Sequence, residues 1–192
     1  MSSYQVPIFF MADHVMDEAT CRRVQTAMDA GVPEPSEILG GEIEHVEEVR
    51  RASHVEVPQS MLDVIEACLD RQRDAIGAFF GRTLRSREGP SLLRYEAGDF
   101  YRPHVDRADV PSWPDAAERQ VTVVLFLDSS RDCDPAGGFA GGLLRVFPGG
   151  PGTAPVEIAA TRGTLVAFPS ETQHEVTRVT GGRRDVVVDW FS

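Results

Sequence analysis

Short apolar runs separated by turn residues dominate the chain after Gly81, whereas helical spacing of apolar residues dominates before it. Runs of this length and frequency are typical of strands in an all-β layer structure rather than of helices. The sequence therefore predicts a mainly β fold with flanking helices, in which two small antiparallel sheets form a jelly roll. We interpret eight runs as strands, at residues 91–95, 101–106, 120–127, 142–147, 156–158, 164–168, 173–179 and 184–190.

The region before residue 50 shows one helix between less regular stretches. Residues 6–10 form an apolar run that predicts a strand. Asp13 is placed to cap a helix that extends from about residue 16 to residue 30, and Gly31 is placed to end it. The acidic stretch 31–50 carries little pattern, and we expect a mobile loop or a hairpin there.

A strand and a second helix complete the first part of the chain. Residues 51–57 alternate enough to predict a strand, and residues 60–80 place apolar side chains at helical spacing opposite a charged face. We expect the helices to pack outside one sheet of the jelly roll. The chain, 1–192, is then a single domain in which 1–90 support a catalytic β core formed by 91–192.

Composition and charge exclude several classes of partner. The chain has 192 residues, of which 42% are hydrophobic and 26% charged, which suits one globular domain with a substantial core. The net charge is −11, and no run of Lys or Arg is longer than a pair. Since a surface that follows phosphates needs a basic face, nucleic acid is not an expected partner.

The cysteines and the apolar runs bear on the cellular compartment. Cys21, Cys68 and Cys133 are odd in number and widely spaced, which does not indicate a disulfide framework. The N-terminus lacks the pattern of a signal peptide, and no apolar run is long enough for a membrane span. We expect a cytoplasmic protein with structural, reduced thiols, of which Cys133 is the most exposed.

His104 and Asp106 are two residues apart, so on an extended strand they would point to the same face. One imidazole and one carboxylate are two thirds of the 2-His-1-carboxylate ligand set of non-haem Fe(II) oxygenases. The third ligand must be a distant histidine, and we choose His174 because it lies in a late apolar strand region. His14, His45 and His54 receive no role. The alternatives are a chance pair at a strand end and a hydrogen-bonded core histidine.

Arg184 and Tyr95 are the candidate residues for binding a dicarboxylate. Gly181 and Gly182 allow a hairpin that would bring Arg184 back beside the His174 strand. A guanidinium pairs with a carboxylate through two hydrogen bonds and keeps its charge when buried, so Arg184 could hold the distal carboxylate of 2-oxoglutarate. Arg183 is either a surface charge or a competitor for this role. Tyr95 could donate its hydroxyl to the same ligand, or it could be a core aromatic residue.

The segment from Tyr95 to Asp106 contains the pattern Y-x-x-G-x-x-Y-x-x-H-x-D. It resembles the prolyl 4-hydroxylase-like branch of the Fe(II)/2-oxoglutarate dioxygenases, and it is similar to the oxygen-sensing prolyl hydroxylases. Later segments agree with that branch in the same order, and the resemblance covers about residues 91–191. The matching segments after the pattern are 141–148, 163–169, 174–176 and 184–190.

The resemblance implies a double-stranded β-helix in which His104, Asp106 and His174 hold Fe(II), while Arg184 and Tyr95 bind 2-oxoglutarate. It implies a dioxygenase that uses O2 to hydroxylate an unactivated C–H bond, releases succinate and CO2, and takes ascorbate as reductant. The substrate suggested by the branch is a prolyl residue in a peptide or protein. A free amino acid or another small metabolite is the alternative, and a non-catalytic jelly roll that binds a metal such as Zn2+ is a third possibility.

Three features depart from the oxygen-sensing enzymes. Phe126 stands where those enzymes have a tyrosine, and Val188 stands where they have a threonine that helps to hold the cosubstrate. The loop after Asp106 also differs, since it contains Trp113 between two prolines. We expect the loops 107–119 and 129–141 to surround the open mouth of the jelly roll and to influence substrate choice.

Overall fold

The secondary structure follows the predicted change from helices to strands. A computed structural model describes residues 8–36, 46–109, 111 and 113–192. Its helices are α1 (Glu18–Ala30), α2 (Val46–Val49), α3 (Gln59–Asp70) and α4 (Arg73–Phe80), with a short 3-10 helix at Pro114–Ala117. Its strands are β1 (Phe10–Ala12), β2 (Pro33–Pro35), β3 (Arg50–Arg51), β4 (Ser53–Val55), β5 (Ser91–Tyr95), β6 (Phe100–His104), β7 (Val121–Phe126), β8 (Ala140–Gly141), β9 (Leu144–Phe147), β10 (Val156–Ile158), β11 (Leu165–Pro169), β12 (Gln173–Val176), β13 (Val179–Gly181) and β14 (Arg184–Phe191).

Two antiparallel sheets form the jelly roll. The larger sheet has the strand order β1-β11-β7-β14-β5-β4-β2, and the smaller has the order β10-β9-β12-β6-β3. Strands β13 and β8 pair separately. Buried apolar residues from both sheets, among them Leu93, Val124, Val146 and Val176, meet in one cluster between them. The predicted mainly β fold with flanking helices is therefore confirmed.

Helices α1, α3 and α4 cover the outer face of the larger sheet, whereas α2 contacts β3 and β6 of the smaller sheet. Strand β7 shows how one strand serves both layers, because alternate residues of a strand point to opposite faces. Val123 and Leu125 belong to the cluster that contains Met28 of α1 and Ile65 of α3, whereas Val124 faces the smaller sheet. Burial on both faces explains the run of four apolar residues at 123–126 of β7. Within the described ranges, no helix is long and apolar enough to cross a membrane.

The region before β5 contributes strands to both sheets. Strand β4 pairs with β5 in the larger sheet, and β3 pairs with β6 in the smaller one. A single residue, Ala52, separates β3 from β4, so the chain crosses there from one sheet to the other. The predicted strand 51–57 is thus two short strands. In the acidic stretch 31–50, β2 pairs with β4, and residues 37–45 lie outside the described part of the chain.

The limits of the N-terminal elements differ from the prediction. Helix α1 begins at Glu18 rather than at residue 16, and Asp17 caps it by accepting a hydrogen bond from the Thr20 amide at 2.7 Å. Asp13 instead accepts a hydrogen bond from the Thr164 hydroxyl at 2.9 Å. The first strand is Phe10–Ala12, whereas the prediction was 6–10. Residues 6 and 7 of that predicted strand lie outside the described part of the chain. Gly31 follows α1 as predicted.

The predicted helix 60–80 is two helices, α3 and α4, with a turn at residues 71–72. All four residues from Asp70 to Arg73 are polar, so no apolar packing holds the helix straight at this point. Gly81 ends α4 with a φ of 64°, in the left-handed region, as the sequence predicted.

Three predicted strands also end differently. Strand β6 stops at His104, so Asp106 lies beyond it. The predicted strand 173–179 is divided into β12 and β13. The predicted strand 142–147 starts only at Leu144, because Gly142 has a φ of 61°, which is in the left-handed region and not in the extended range of a strand.

The close approach of Gly163 to the segment before α1 predicts a stability difference between two glycine variants. The Gly163 carbonyl accepts the Val15 amide at 2.9 Å, and a Cβ at Gly163 would lie 2.1 Å from the Met16 carbonyl oxygen. We expect Gly163→Ala to lower the free energy of unfolding by about 2–3 kcal/mol, since the left-handed φ of 77° and the clash both oppose it.

Gly150 is the matched control, because it has a similar φ of 82° and open space around the added Cβ. Gly150→Ala should cost only about 1 kcal/mol for the backbone conformation. Urea denaturation of both variants measures the difference. Equal losses of unfolding free energy in the two variants would show that the close approach of Gly163 to Met16 does not add to the cost of the substitution.

Candidate functional site

A cavity of about 290 Å3 lies between the two sheets and contains all five residues that the sequence singled out. Arg184 and Tyr95 line it from the larger sheet. His104 and His174 line it from the smaller sheet, and Asp106 joins them from the loop after β6. The sequence prediction that these five side chains share one site is therefore matched by their positions.

The register of the smaller sheet brings the two histidines together. His104, the last residue of β6, is paired directly with His174 of β12. The two ring centroids are 4.1 Å apart. Asp106 Oδ1 lies 3.6 Å from His104 Nε2, and its Oδ2 lies 3.4 Å from His174 Nε2. One ligand atom from each of the three residues lies within 4.8 Å of the others, a spacing that one metal ion can bridge.

Asp106 reaches this position without being part of a strand. The spacing of His104 and Asp106 predicted that both lie on one face of a single strand. Instead, β6 ends at His104, and Asp106 lies in the bend that follows. Its backbone amide donates to the Ser170 carbonyl at 3.0 Å. Its carboxylate oxygen Oδ2 accepts the Thr122 hydroxyl at 2.7 Å. These contacts, and not strand periodicity, direct the carboxylate toward the histidines.

Hydrogen bonds also set which nitrogen each imidazole presents. His104 Nδ1 lies 2.8 Å from the Arg102 carbonyl oxygen, and His174 Nδ1 lies 3.0 Å from that of Thr172. A carbonyl oxygen only accepts, so each Nδ1 carries the proton and each Nε2 lone pair points toward Asp106. This tautomer, with a carbonyl behind each ring, is the arrangement that orients histidines as metal ligands.

The protonation states agree with a metal-ligand set. Burial, reinforced by the neighbouring His174, lowers the pKa of His104 to about 3. Burial opposes ionisation of Asp106, but the two histidines and the Thr122 hydroxyl outweigh it and hold the pKa of that carboxyl below its ordinary value. At neutral pH the cluster therefore presents a neutral imidazole at His104 and a carboxylate at Asp106.

Arg184 is a buried cation that faces the same cavity. Its side chain is 1% exposed, and its Nε and Nη1 atoms have no hydrogen-bond partner among the described residues. Tyr95 is paired with it across β5 and β14, and the guanidinium carbon lies 5.0 Å from the Tyr95 ring centroid. Because a buried charge without partners is costly, the cavity is suited to an anionic ligand at this end.

Arg184 does not reach the site by the predicted hairpin. Strand β14 lies between β5 and β7 in the larger sheet, whereas the strand of His174 belongs to the smaller sheet. The two residues face each other across the cavity instead of lying side by side. Arg183 points elsewhere, since it forms ion pairs with Asp29 at 2.8 Å and Asp185 at 3.1 Å.

The two residues that depart from the oxygen-sensing enzymes surround the same region. The ring centroid of Phe126 lies 5.6 Å from the guanidinium carbon of Arg184, and Val188 lines the cavity. Neither side chain carries a hydroxyl. Tyr95, whose ring centroid lies 5.0 Å from the guanidinium carbon, is by contrast an aromatic residue with a hydroxyl beside Arg184.

Several cavity residues received no role in the site from the sequence, although Tyr101 and Trp190 belong to the segments that carry the resemblance. Tyr101 stacks on His104 with ring centroids 3.4 Å apart, and the guanidinium carbon of Arg50 lies 4.6 Å from the centroid of the Tyr101 ring. Thr122 and Trp190 also line the cavity, as does His54, to which no role was assigned. The period of two along β14 could have identified Trp190, since Arg184, Val186, Val188 and Trp190 all face inward.

The two loops expected at the mouth differ in their positions. Trp113, in the loop 107–119, lines the cavity, and the 3-10 helix that follows it gives this loop a regular structure. The loop 129–141 supplies no residue to the cavity wall. It closes on itself through a bridge between Ser130 and Phe139. The expectation that both loops surround the mouth was therefore wrong for the second loop. Cys133, which lies in it, is exposed as predicted.

Comparison with known proteins identifies a family that matches this chain. The family model described as the 2OG-Fe(II) oxygenase superfamily matches residues 90–192. A PKHD-type hydroxylase of Sphingopyxis alaskensis is 33% identical over 102 residues, which cover 53% of this chain and 43% of the relative. The match thus spans less than half of that relative's length.

Two solved structures share the fold. A prolyl-4-hydroxylase of Pseudomonas putida has a TM-score of 0.70 at 24% identity, over 95% of this chain and 91% of the other. A prolyl hydroxylase in complex with a hypoxia inducible factor oxygen degradation domain peptide fragment from Trichoplax adhaerens has a TM-score of 0.72 at 18% identity, over 95% and 82% of the two chains.

The hydrogen bond from Thr122 to Asp106 predicts a loss of metal affinity when the hydroxyl is removed. We expect Thr122→Val to raise the dissociation constant for a divalent metal by roughly 10-fold, because contacts of this kind orient a metal ligand. Anaerobic titration with Fe(II) measures the constant. The control is Thr164→Val, which removes the buried hydroxyl bound to Asp13 outside the cavity. An effect of Thr164→Val as large as that of Thr122→Val would contradict the assignment.

Proposed function

Since the chain belongs to the 2OG-Fe(II) oxygenase superfamily, we propose that it is an Fe(II)- and 2-oxoglutarate-dependent hydroxylase that acts on a prolyl residue of a peptide or protein. The observation that carries the proposal is the arrangement of one cavity. The cluster of His104, Asp106 and His174 lies on one side. On the other lie the donors of the buried Arg184 that have no partner in the described part of the chain.

The residues present fit the two groups that the family implies. Two neutral imidazoles and one carboxylate are the ligand set typical of non-haem Fe(II), and they leave part of the coordination sphere open. A dicarboxylate that reaches Arg184 would satisfy the donors that have no partner among the described residues. We therefore assign His104, Asp106 and His174 as the metal ligands, and Arg184 with Tyr95 as the binding residues for 2-oxoglutarate.

The residues that line the cavity then have separate roles. When bound, Fe(II) with 2-oxoglutarate and O2 supplies the oxidation, from which succinate, CO2 and a hydroxylated product result. Arg184 fixes the far carboxylate of the cosubstrate, and Tyr95 closes that end of the cavity. Val186 and Val188 keep the floor of the cavity apolar and limit the access of water to it.

The aromatic side chains of the cavity support a prolyl substrate. Tyr101, Trp113 and Trp190 line the cavity together with the metal-ligand cluster. Flat apolar rings of this kind suit a compact, saturated ring better than a highly charged ligand. A prolyl hydroxylase of this fold forms a complex with a hypoxia inducible factor peptide fragment, which supports a peptide substrate for this chain.

Three further parts complete the proposal. Ascorbate is proposed as the reductant that keeps the iron ferrous. The single-domain organisation, with 1–90 supporting 91–192, is supported by the pairing of β3 and β4 with strands of the two sheets. The cytoplasmic location stays a prediction from the sequence.

The proposed function predicts succinate formation that depends on the substrate. Purified protein with Fe(II), ascorbate, O2 and 2-oxoglutarate should form succinate slowly alone and at least about 10-fold faster with a proline-containing peptide, because a bound substrate couples the oxidation to hydroxylation. Mass spectrometry of the peptide then locates the added oxygen. Asp106→Ala should abolish both iron binding and turnover.

The result with peptides separates the alternatives. Slow turnover that peptides do not change, but a free amino acid accelerates, would replace the prolyl substrate with a small metabolite. Iron binding without any turnover would contradict the proposed hydroxylase and favour a metal-binding module.

The positions of the two adjacent arginines predict opposite outcomes for their variants. Arg184→Gln should raise the dissociation constant of 2-oxoglutarate by at least about 30-fold, because the buried carboxylate would lose its charged partner. Arg183→Gln, whose side chain pairs with Asp29 and Asp185 outside the cavity, should change it less than about threefold. The charge-transfer band of the anaerobic Fe(II) complex reports binding. A larger effect of Arg183→Gln would reverse the assignment.

A further inference from the structure

The loop that carries Asp106 is held from its outer side by Arg119. Asp106 lies beyond the end of β6, so the hydrogen bonds of a sheet do not fix its backbone. Arg119 Nη1 donates to the Asp106 carbonyl oxygen at 3.0 Å. The Arg119 residue is 2% exposed, and this contact is therefore shielded from water. The Arg119 guanidinium therefore holds the Asp106 backbone together with Ser170, whose carbonyl accepts the Asp106 amide at 3.0 Å.

Glu88 sets the position of the guanidinium. Arg119 Nε donates to Glu88 Oε1 at 2.5 Å, and Nη2 donates to Oε2 at 2.7 Å. Two parallel hydrogen bonds to one carboxylate fix the plane of a guanidinium, and here they direct the remaining nitrogen, Nη1, at Asp106. Glu88 is itself fixed, because its backbone amide donates to the Trp190 carbonyl at 3.1 Å. A continuous chain of contacts thus connects the end of β14 to Asp106.

The same guanidinium contacts the aromatic wall of the cavity. Its central carbon lies 3.8 Å from the ring centroid of Trp190 and 5.5 Å from that of Trp113. Both tryptophans line the cavity, as Arg119 does. A change in the orientation of Arg119 would therefore move the metal carboxylate and the proposed substrate wall together.

We propose that Arg119, oriented by Glu88, is a positioning residue that holds Asp106 in the geometry required for metal binding and keeps the two tryptophans in place beside it. The inference rests on the proposed metal-ligand role of Asp106. Glu88 lies outside the segment 90–192 that the family model matches, so this part of the metal site belongs to the preceding region of the chain.

Two variants of the pair test the inference. Glu88→Gln keeps the size of the side chain but removes the charge that fixes the guanidinium. Arg119→Lys keeps the positive charge but cannot bind Glu88 at two points and Asp106 at a third. Both should raise the dissociation constant for Fe(II) by about 10-fold in anaerobic titration. Both should also shift the charge-transfer band of the complex with 2-oxoglutarate, since the ligand field of Asp106 changes.

Asp29→Asn is the matched control. Asp29 pairs with Arg94, another buried arginine, at 2.8 Å, and neither residue lines the cavity. The control removes one of the two carboxylates that Arg94 contacts, since Asp185 remains at 2.9 Å, so its thermal melting temperature measures the cost of losing an ion pair away from the cavity. Its dissociation constant for Fe(II) should stay within about twofold of the unmodified protein.

The outcomes distinguish this inference from the proposed function. Weaker Fe(II) binding in the two variants of the pair, with normal binding in Asp29→Asn at a similar melting temperature, supports the positioning role. Unchanged Fe(II) binding and an unchanged band in either folded variant overturn it while the proposed function stands. Equal weakening in Asp29→Asn overturns it as well, because the effect would then be general destabilisation. Absence of Fe(II) binding by the unmodified protein contradicts the proposed function itself.

Discussion

The polar interior of this protein depends on the register between β6 and β12. In that register His104 is opposite His174, and both imidazoles point between the sheets. Because side chains alternate along a strand, a shift by one residue would turn one histidine away from the other. The pairing becomes irregular immediately after His174, between it and Val176, so the irregularity leaves the histidine pair itself intact.

The two sheets make different contributions to the cavity. The smaller sheet provides the imidazoles, which neutralise no charge, and the larger sheet provides Arg184, a cation with donors that lack partners among the described residues. Burial lowers the pKa of Arg184, which reflects the cost of holding a charge there. A ligand that reaches from one sheet to the other could contact the metal-ligand cluster at one end and the donors of Arg184 at the other. The proposed cosubstrate is a dicarboxylate with a keto acid at one end, and it meets this requirement.

The parts of the fold that follow from periodicity were predicted from the sequence. Strands β5 and β10 have the predicted limits, and Gly81 ends a helix as its conformational freedom suggests. The residues His104, Asp106, His174, Arg184 and Tyr95 were found through residue types and spacing, and the structure brings them to one cavity.

The features that the sequence did not predict depend on contacts between distant segments. Asp106 is directed by Thr122 and Ser170, which are far from it in the chain, and Arg184 faces His174 from the other sheet. Such features reflect tertiary contacts, which local propensity and periodicity do not contain.

The crossing of the chain at Ala52 has a mechanical consequence. Strand β3 ends in the smaller sheet at Arg51, and β4 begins in the larger sheet at Ser53, so one residue spans the gap between the layers. Arg50 and His54, on either side of the crossing, both line the cavity. The separation of the sheets is thus fixed covalently along this margin. Any widening of the cavity at this margin would therefore have to change the backbone conformation at Ala52.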